Sequence, residues 1–409
     1  MDNHTIKNVF REYIHPLDSK VIQKMIDHAE IDKYVKKLDA LTFINAFIYA
    51  QLKQLDNLQR ISDTITRKKT VQRLVGIESI SKSQLSRKNR EMPPAIFQAI
   101  LHHLMQQIHQ LLGPQKANKA LGKLHLIDSS IISMCLSQYE WADFRESKFG
   151  VKMHTSIVFC DGISYPNEVI VTPARPADET QLDALIVPDK NVLHVFDRGY
   201  FNFTKFDTYC ADDIRFVTRI KTNTVVHVIE ELAVDPSSPA TRHAAVKIGK
   251  MKYPVQLVET VDSKGNAIQI ICNDAKVNAQ EISDLYRYRW QIELFFKWVK
   301  QHLVIKKLYG KSENAVYNQL FLAMITFCLT LFMKINLGYR GTLLEMLNWI
   351  RDYWTTSMER FISNVFKEPE RTSKGRRRLE HERIFEETLE QYETGEAWHL
   401  DDLTFHSII

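Results

Sequence analysis

At about residue 121 the hydrophobic pattern of this chain changes period, and that change limits the folds open to it. Before it, apolar residues recur at three- and four-residue spacing, as in Ala40-Leu-Thr-Phe-Ile-Asn-Ala-Phe-Ile-Tyr-Ala-Gln-Leu52, with almost no strand-like runs. After it, short β-rich runs appear at Leu124–Asp128, Val151–Phe159 and Asn167–Val171, the last two separated by the turn signal Cys160-Asp-Gly-Ile. A helix is expected over Asp178–Ile186, then a second apolar strand, Val192-Leu-His-Val-Phe-Asp197, again ending in Asp. Another helix over 202–210 and a strand over Ile214–Arg219 follow. Strand, helix, strand and helix in this order imply an α/β fold, a mixed sheet with helices on its faces, behind an all-helical N-terminal region, 1–120.

Residues 220–265 break the alternation. The runs Val225–Ile229 and Val255–Thr260 flank a polar stretch, Asp235-Pro-Ser-Ser-Pro-Ala-Thr, which predicts a β insertion with an exposed loop. Ile268–Cys272 re-enters the sheet or closes the insertion, and one long helix is expected from Gln280 to about His302. The α/β region is read as 121–335. A helical C-terminal region, 336–409, ends in a basic run, Arg371–Arg378, and an acidic helix over Glu380–Glu390. Only 13 Gly and 12 Pro in 409 residues suit many helices and few long loops.

Charge is unevenly placed. Residues 51–120 carry twelve Lys and Arg against four acids, a local +8, whereas residues 1–50 balance at seven and seven. Such an excess points to a polyanion partner. Within it, Ile80, Ser81 and Ser83 precede a short helix bearing Gln84, Ser86, Arg87, Lys88 and Arg90, a pattern suited to a helix-turn-helix recognition helix. Five scattered cysteines without a C-x-x-C form neither a disulfide framework nor a zinc site, so a reducing, cytoplasmic setting is the expectation. The start lacks a basic-then-apolar leader, and the apolar run Leu320–Met333 reads as a core helix rather than a membrane span. No G-x-x-x-x-G-K-[ST], H-E-x-x-H or G-x-S-x-G occurs, which argues against an ATPase, a zinc protease or a serine hydrolase.

The chemistry concentrates on the long helix. At roughly 100° per residue, Tyr286, Arg289, Glu293 and Lys300 fall within about 60° of one another, with Lys297 at the border. A carboxylate among cations and a phenol suits a metal-bound phosphodiester; a charged face with Arg289–Glu293 and Glu293–Lys297 pairs is the alternative. Two strands ending in Asp128 and Asp197 would supply two further carboxylates at a sheet edge. Lys152 and His154 share a strand face, the histidine with a structural role expected. His102, His103 and His109 are expected at surface or packing positions, and Trp290 and Trp298 as core anchors.

The spacing Y-(2)-R-(3)-E-(6)-K resembles the signature of the YREK branch of DDE transposases, insertion-sequence family 4. Asp197-Arg198-Gly199-Tyr200 resembles that family's second-Asp motif and Leu126-Ile-Asp128-Ser129-Ser130 its first. The resemblance covers about residues 120–335. It implies a ribonuclease H-like core carrying a β insertion. It also implies metal ligation by Asp128, Asp197 and Glu293, with two Mg²⁺ ions for which Mn²⁺ can substitute. Phosphate contacts are implied for Tyr286, Arg289 and Lys300, with Lys297 and Arg198 beside them, and Gln84, Arg87 and Lys88 are expected to meet DNA. The partners so implied are double-stranded DNA, as transposon terminal inverted repeats and as target, and a second copy in a synaptic homodimer. No membrane and no nucleotide cofactor are implied, and the setting is a bacterial cytoplasm with its nucleoid. The reaction implied is cut-and-paste transposition through a hairpin. Family members stack an aromatic of the insertion on an extruded base; here residues 220–265 offer only Tyr253 and no Trp.

Overall fold

The computed structural model describes residues 8–367, apart from 18–19, 113–122, 136–138, 146–147, 161–162, 222, 237 and 262–264, and beyond them only Glu386, Leu389, Glu390 and Thr394. The basic run 371–378 and nearly all of the expected 380–390 helix lie outside the described residues. Packing divides the chain into two compact units, one formed by residues up to Ile186 together with Trp290–Lys367, the other containing Val187–Arg289.

The first unit opens with seven helices: α1 (Val9–Ile14), α2 (Lys20–His28), α3 (Ala40–Leu52), α4 (Leu58–Arg67), α5 (Lys69–Val75), α6 (Lys82–Glu91) and α7 (Pro94–Leu112). Three long strands follow, β1 (Lys123–Met134), β3 (Lys148–Cys160) and β4 (Ile163–Pro173), with the short β2 (Asp143–Arg145) before β3 and a short helix, α8 (Leu182–Leu185), after β4. β3 pairs antiparallel with β1, β2 and β4, and its register sets Asp128 opposite Thr155 and Ser129 opposite His154.

The second unit begins with β5 (Val192–Phe196), α9 (Phe203–Ala211) and β6 (Arg215–Arg219), the two strands parallel and joined by a helical crossover. Then come β7 (Val226–Glu231), β8 (Arg242–Ile248), β9 (Val255–Val261), β10 (Ala267–Cys272) and α10 (Ala279–Tyr288). The expected insertion is therefore a three-strand antiparallel meander, β7 to β9; β8 had no distinct apolar run to announce it. β10 both re-enters and closes, pairing with β6 on one side and β9 on the other. An antiparallel meander carrying the first Asp, a parallel pair carrying the second, and a β insertion before the acidic helix make this a ribonuclease H-like mixed α/β fold.

The chain returns to the first unit with α11 (Trp290–His302), α12 (Glu313–Asn336), α13 (Leu343–Tyr353) and α14 (Met358–Val365). α12, capped by the Ser312 hydroxyl, is the axis of this unit's core and packs against α1, α3, α6 and α7. By length and composition it matches a membrane span, yet 89% of its apolar window is buried, as the sequence reading expected of a core helix. Buried polar contacts fix its register. Tyr13 donates to the Thr326 carbonyl at 2.8 Å, and Asn318 Nδ2 donates to the carbonyls of Asn89 and Met92 at 2.9 and 3.0 Å. Four of the N-terminal helices thus share their core with α12, while α4 packs on α5 and α6, and α2 on α7. This packing crosses the segment boundaries suggested by periodicity, because a helix buried on all sides needs neighbours from distant sequence.

Two expectations about positions change. Asp128 does not end its strand, since β1 runs on to Met134 along β3. The Gln280–His302 helix is two helices: α10 ends at Tyr288, and the Arg289 amide turns back to the Tyr286 carbonyl at 3.1 Å, a tighter three-residue step. The stripe arithmetic therefore holds for Glu293, Lys297 and Lys300 on α11, and separately for Tyr286 and Arg289 at the end of α10.

Candidate active site

In the first unit, Asp128 is half-buried and its Oδ1 accepts the Ser129 amide at 2.8 Å. The Ser129 hydroxyl donates to Asp178 Oδ1 at 2.9 Å. Lys152, almost wholly buried, brings its Nζ to 3.1 Å from the same oxygen and donates to the Pro176 carbonyl at 2.9 Å. His154 is fully buried; its Nε2 meets Thr172 Oγ1 at 3.0 Å and its Nδ1 stands 3.6 Å from Asp178 Oδ1. Burial pushes its pKa down to about 4 against the pull of Asp178, so the ring is neutral near pH 7. Lys152 and His154 do share a face, and what they meet is Asp178, which the sequence offered only as the start of a helix.

α11 packs on β1 and presents Glu293 half-buried, Lys297 exposed and Lys300 half-buried. Burial, and then the neighbouring Lys306, lower the Lys300 pKa. Trp298 packs edge-on against Phe327 with ring centroids 5.2 Å apart, in keeping with a core anchor. The three histidines of α7 go to different partners: His103 to Gln107, His109 to Tyr165 and Lys123, and His102 to within 3.6 Å of Glu168.

In the second unit, Asp197 directly follows β5 and caps the turn Arg198–Tyr200, its Oδ1 accepting the Arg198 amide at 2.7 Å. The same oxygen receives the Tyr286 hydroxyl at 3.5 Å, the outer limit of such a bond. Burial raises the Tyr286 pKa to about 12 despite the opposing pull of Arg289, so the phenol keeps its proton and remains a donor. The guanidinium carbons of Arg289 and Arg219 stand 5.8 and 6.0 Å from the Tyr286 ring centre. Arg219 escaped the sequence reading; its one signal was a cation closing a strand. Arg198 is exposed.

The same unit holds a cavity of about 740 Å³ whose lining includes Phe201, Asn202, Phe203, Lys221, Asn223 and Lys250. The two phenylalanine rings lie 4.9 Å apart, edge to face. Gly249, with φ +52°, lies so close to Phe203 that a Cβ there would fall 2.5 Å from the ring. Asp207 ties the adjoining turn to α9 by accepting the Lys252 and Tyr253 amides at 2.9 and 3.2 Å. Tyr253 itself is 41% exposed.

Among the described residues, no group of three or more His, Cys, Asp and Glu side chains stands ready-made for a metal ion. On α6, Ser81 and Gln84 form a capping box, Leu85 and Asn89 point inward, and Gln84, Arg87 and Arg90 are exposed. Lys88 departs from expectation: its side chain is 11% exposed and its ammonium lies 2.9 Å from Asp32, so it faces inward rather than toward a DNA partner.

The comparisons with known proteins give the class. Residues 121–329, just over half of the chain, match the family model described as the transposase DDE domain, and the chain belongs to that family. A Geobacillus stearothermophilus protein named as transposase for insertion sequence element IS5377 is 25% identical over 336 residues, covering 80% of this chain and 85% of that protein. The Sinorhizobium fredii protein named as transposase y4zB is 29% identical over 257 residues, 60% of this chain and 69% of that one. A Synechocystis protein named as transposase for insertion sequence element IS4SA is 25% identical over 289 residues, 68% and 78% of the two chains. The YREK, family 4 reading of the sequence agrees with these findings, and the chain is a transposase of the DDE type.

Proposed function

We propose that this transposase cuts double-stranded DNA at transposon terminal inverted repeats and joins the freed ends to target DNA, by cut-and-paste through a hairpin. The observation that carries the reading is the surroundings of Asp197. A carboxylate at a strand end receives a protonated Tyr286, and Arg289 and Arg219 flank the same ring. That set suits a phosphodiester held by cations beside a carboxylate assigned to metal.

Asp128, Asp197 and Glu293 are the proposed metal ligands. Their donors are carboxylate oxygens alone, without sulfur or imidazole, which suits Mg²⁺ and, as a substitute, Mn²⁺. Two such ions, when bound, supply charge to activate a water and stabilise the leaving 3′ oxygen. The chain's own cations do the rest of the work: Arg289 and Lys300 hold phosphate oxygens, with Lys297 and Arg198 at the margin, and Tyr286 orients Asp197. α6 would meet the duplex through Gln84 and Arg87. The cavity over Phe201 and Phe203, rimmed by Lys221 and Lys250, suits an unpaired base and its phosphate, the aromatic platform that the insertion lacks in Trp; stacking there is worth roughly 1–3 kcal/mol. Two ends cut in one assembly call for a homodimer on DNA.

The test uses the purified full chain with duplexes carrying the DNA that flanks its own gene, with Mg²⁺ or Mn²⁺. Nicking at the element's boundaries, followed by a hairpin on denaturing gels, is expected. Phe203→Ala should lower the hairpin yield while sparing the first nick. An inert wild-type protein on bound ends, or full nicking by Asp197→Asn, removes this reading.

A further inference from the structure

Asp178 is not part of the three-acid set, yet Ser129, Lys152 and His154 all converge on its Oδ1. We infer that Asp178, held by the buried Lys152, is a positioning residue that sets the carboxylate of Asp128 for metal; the inference rests on the metal reading of Asp128. The chain of contacts is short. Lys152 lies on β3 with 7% of its side chain exposed, and its Nζ is 3.1 Å from Asp178 Oδ1. That oxygen takes the Ser129 hydroxyl at 2.9 Å, and the Ser129 amide in turn donates to Asp128 Oδ1 at 2.8 Å. Ser129 is thus gripped at both its donors, the hydroxyl by the clamp and the amide by the proposed ligand.

A second observation points the same way. His154 lies opposite Ser129 in the strand register and is wholly buried. Its Nδ1 has no hydrogen-bond partner among the described residues and lies 3.6 Å from the oxygen that Ser129 and Lys152 share. A buried lysine, a carboxylate and a neutral histidine are costly to gather under a strand merely to brace it. Strand pairing along β1 and β3 already gives that bracing. What pairing leaves undetermined is the side-chain torsion of Asp128, a residue with β1 continuing on both sides of it. The Ser129 contacts restrain that torsion.

The experiment measures Mn²⁺ binding to the full chain by calorimetry, beside Mg²⁺ titration of end cleavage and a thermal melt. Ser129→Ala and Asp178→Asn should each weaken Mn²⁺ binding and raise the Mg²⁺ needed for half-maximal cleavage by about tenfold, the usual cost of losing a group that orients a metal ligand. Excess metal should restore much of the rate, and Ser129→Thr, which keeps the hydroxyl, should bind Mn²⁺ as the wild type does. Should Asp178→Asn fail to fold, the Ala and Thr variants at Ser129 decide alone. Unchanged Mn²⁺ affinity in Ser129→Ala, whatever its melting temperature, overturns the inference. Asp128→Asn separates the two levels: if it binds Mn²⁺ like the wild type, the metal reading itself has failed.

Discussion

The two aspartates carry one side-chain chemistry in different local settings. Asp197 caps a turn at a strand end and meets a buried phenol, whereas Asp128 sits in mid-strand beside the clamp of Asp178. Asp128→Asn, Asp197→Asn and Glu293→Gln should each abolish nicking in Mg²⁺ while end binding in a gel-shift assay persists, because an amide keeps the shape but not the charge a hard cation needs. Full-rate nicking by any one variant removes that residue from the set. Among the cations, Arg289→Ala should slow single-turnover cleavage on bound ends more than Lys300→Ala. A planar fork can grip two phosphate oxygens where an ammonium acts as a point charge. A charge-assisted contact of roughly 1.5–3 kcal/mol corresponds to a loss of about ten- to hundred-fold in rate. A lowered melting temperature with an unchanged rate would make Arg289 a brace for Tyr286.

At the scale of elements, α6 is the clearest case of one helix serving two faces. Leu85 and Asn89 dock it onto the core, and Arg87 and Arg90 point outward. Arg87→Ala with Arg90→Ala should weaken end binding and flatten its salt dependence by about two units of slope, since two fewer phosphate contacts release fewer counterions. Lys88→Ala should instead lower the melting temperature with little change in salt slope, because it leaves Asp32 without its ion pair. An unchanged slope in the double variant would dismiss α6 as a DNA reader. The start of α10 falls one residue from the expected Gln280, and the structure shows it fixed by an Asn278–Glu281 capping box. Its end was not legible: no Gly or Pro marks Arg289, and the step there comes from local hydrogen bonding that residue type does not announce.

For the whole molecule, each compact unit contains a buried neutral histidine, His154 in one and His194 in the other. Burial depresses both pKa values to about 4. An unfolded histidine titrates near 6.5. Below that pH the unfolded chain binds more protons, so stability is full above it and falls as pH drops toward 4. A shift of this size costs about 3 kcal/mol per site once both forms are protonated, at 1.36 kcal/mol per unit. Scanning calorimetry from pH 7 to 4 should show melting temperatures falling through that window, and His194→Asn should flatten the fall for the second unit. An identical pH profile in that variant would show that His194 does not govern it.

What the sequence determined by itself was whatever local periodicity and spacing encode. The helix-to-strand switch near residue 121, the β insertion, the burial of α12 and the motif-based family assignment were all readable, since each depends on neighbours within a few turns or along one strand. Tertiary structure decided the rest. Asp128 lies in mid-strand because β3 pairs on past it; Lys88 is withdrawn because Asp32, fifty-six residues away, claims it. Asp178, Lys152 and Ser129 meet although they are scattered over fifty residues. Arg219 joins Tyr286 only after β6 and α10 have packed. Side-chain partners of this kind depend on distances between elements far apart in sequence, and residue type alone does not fix them.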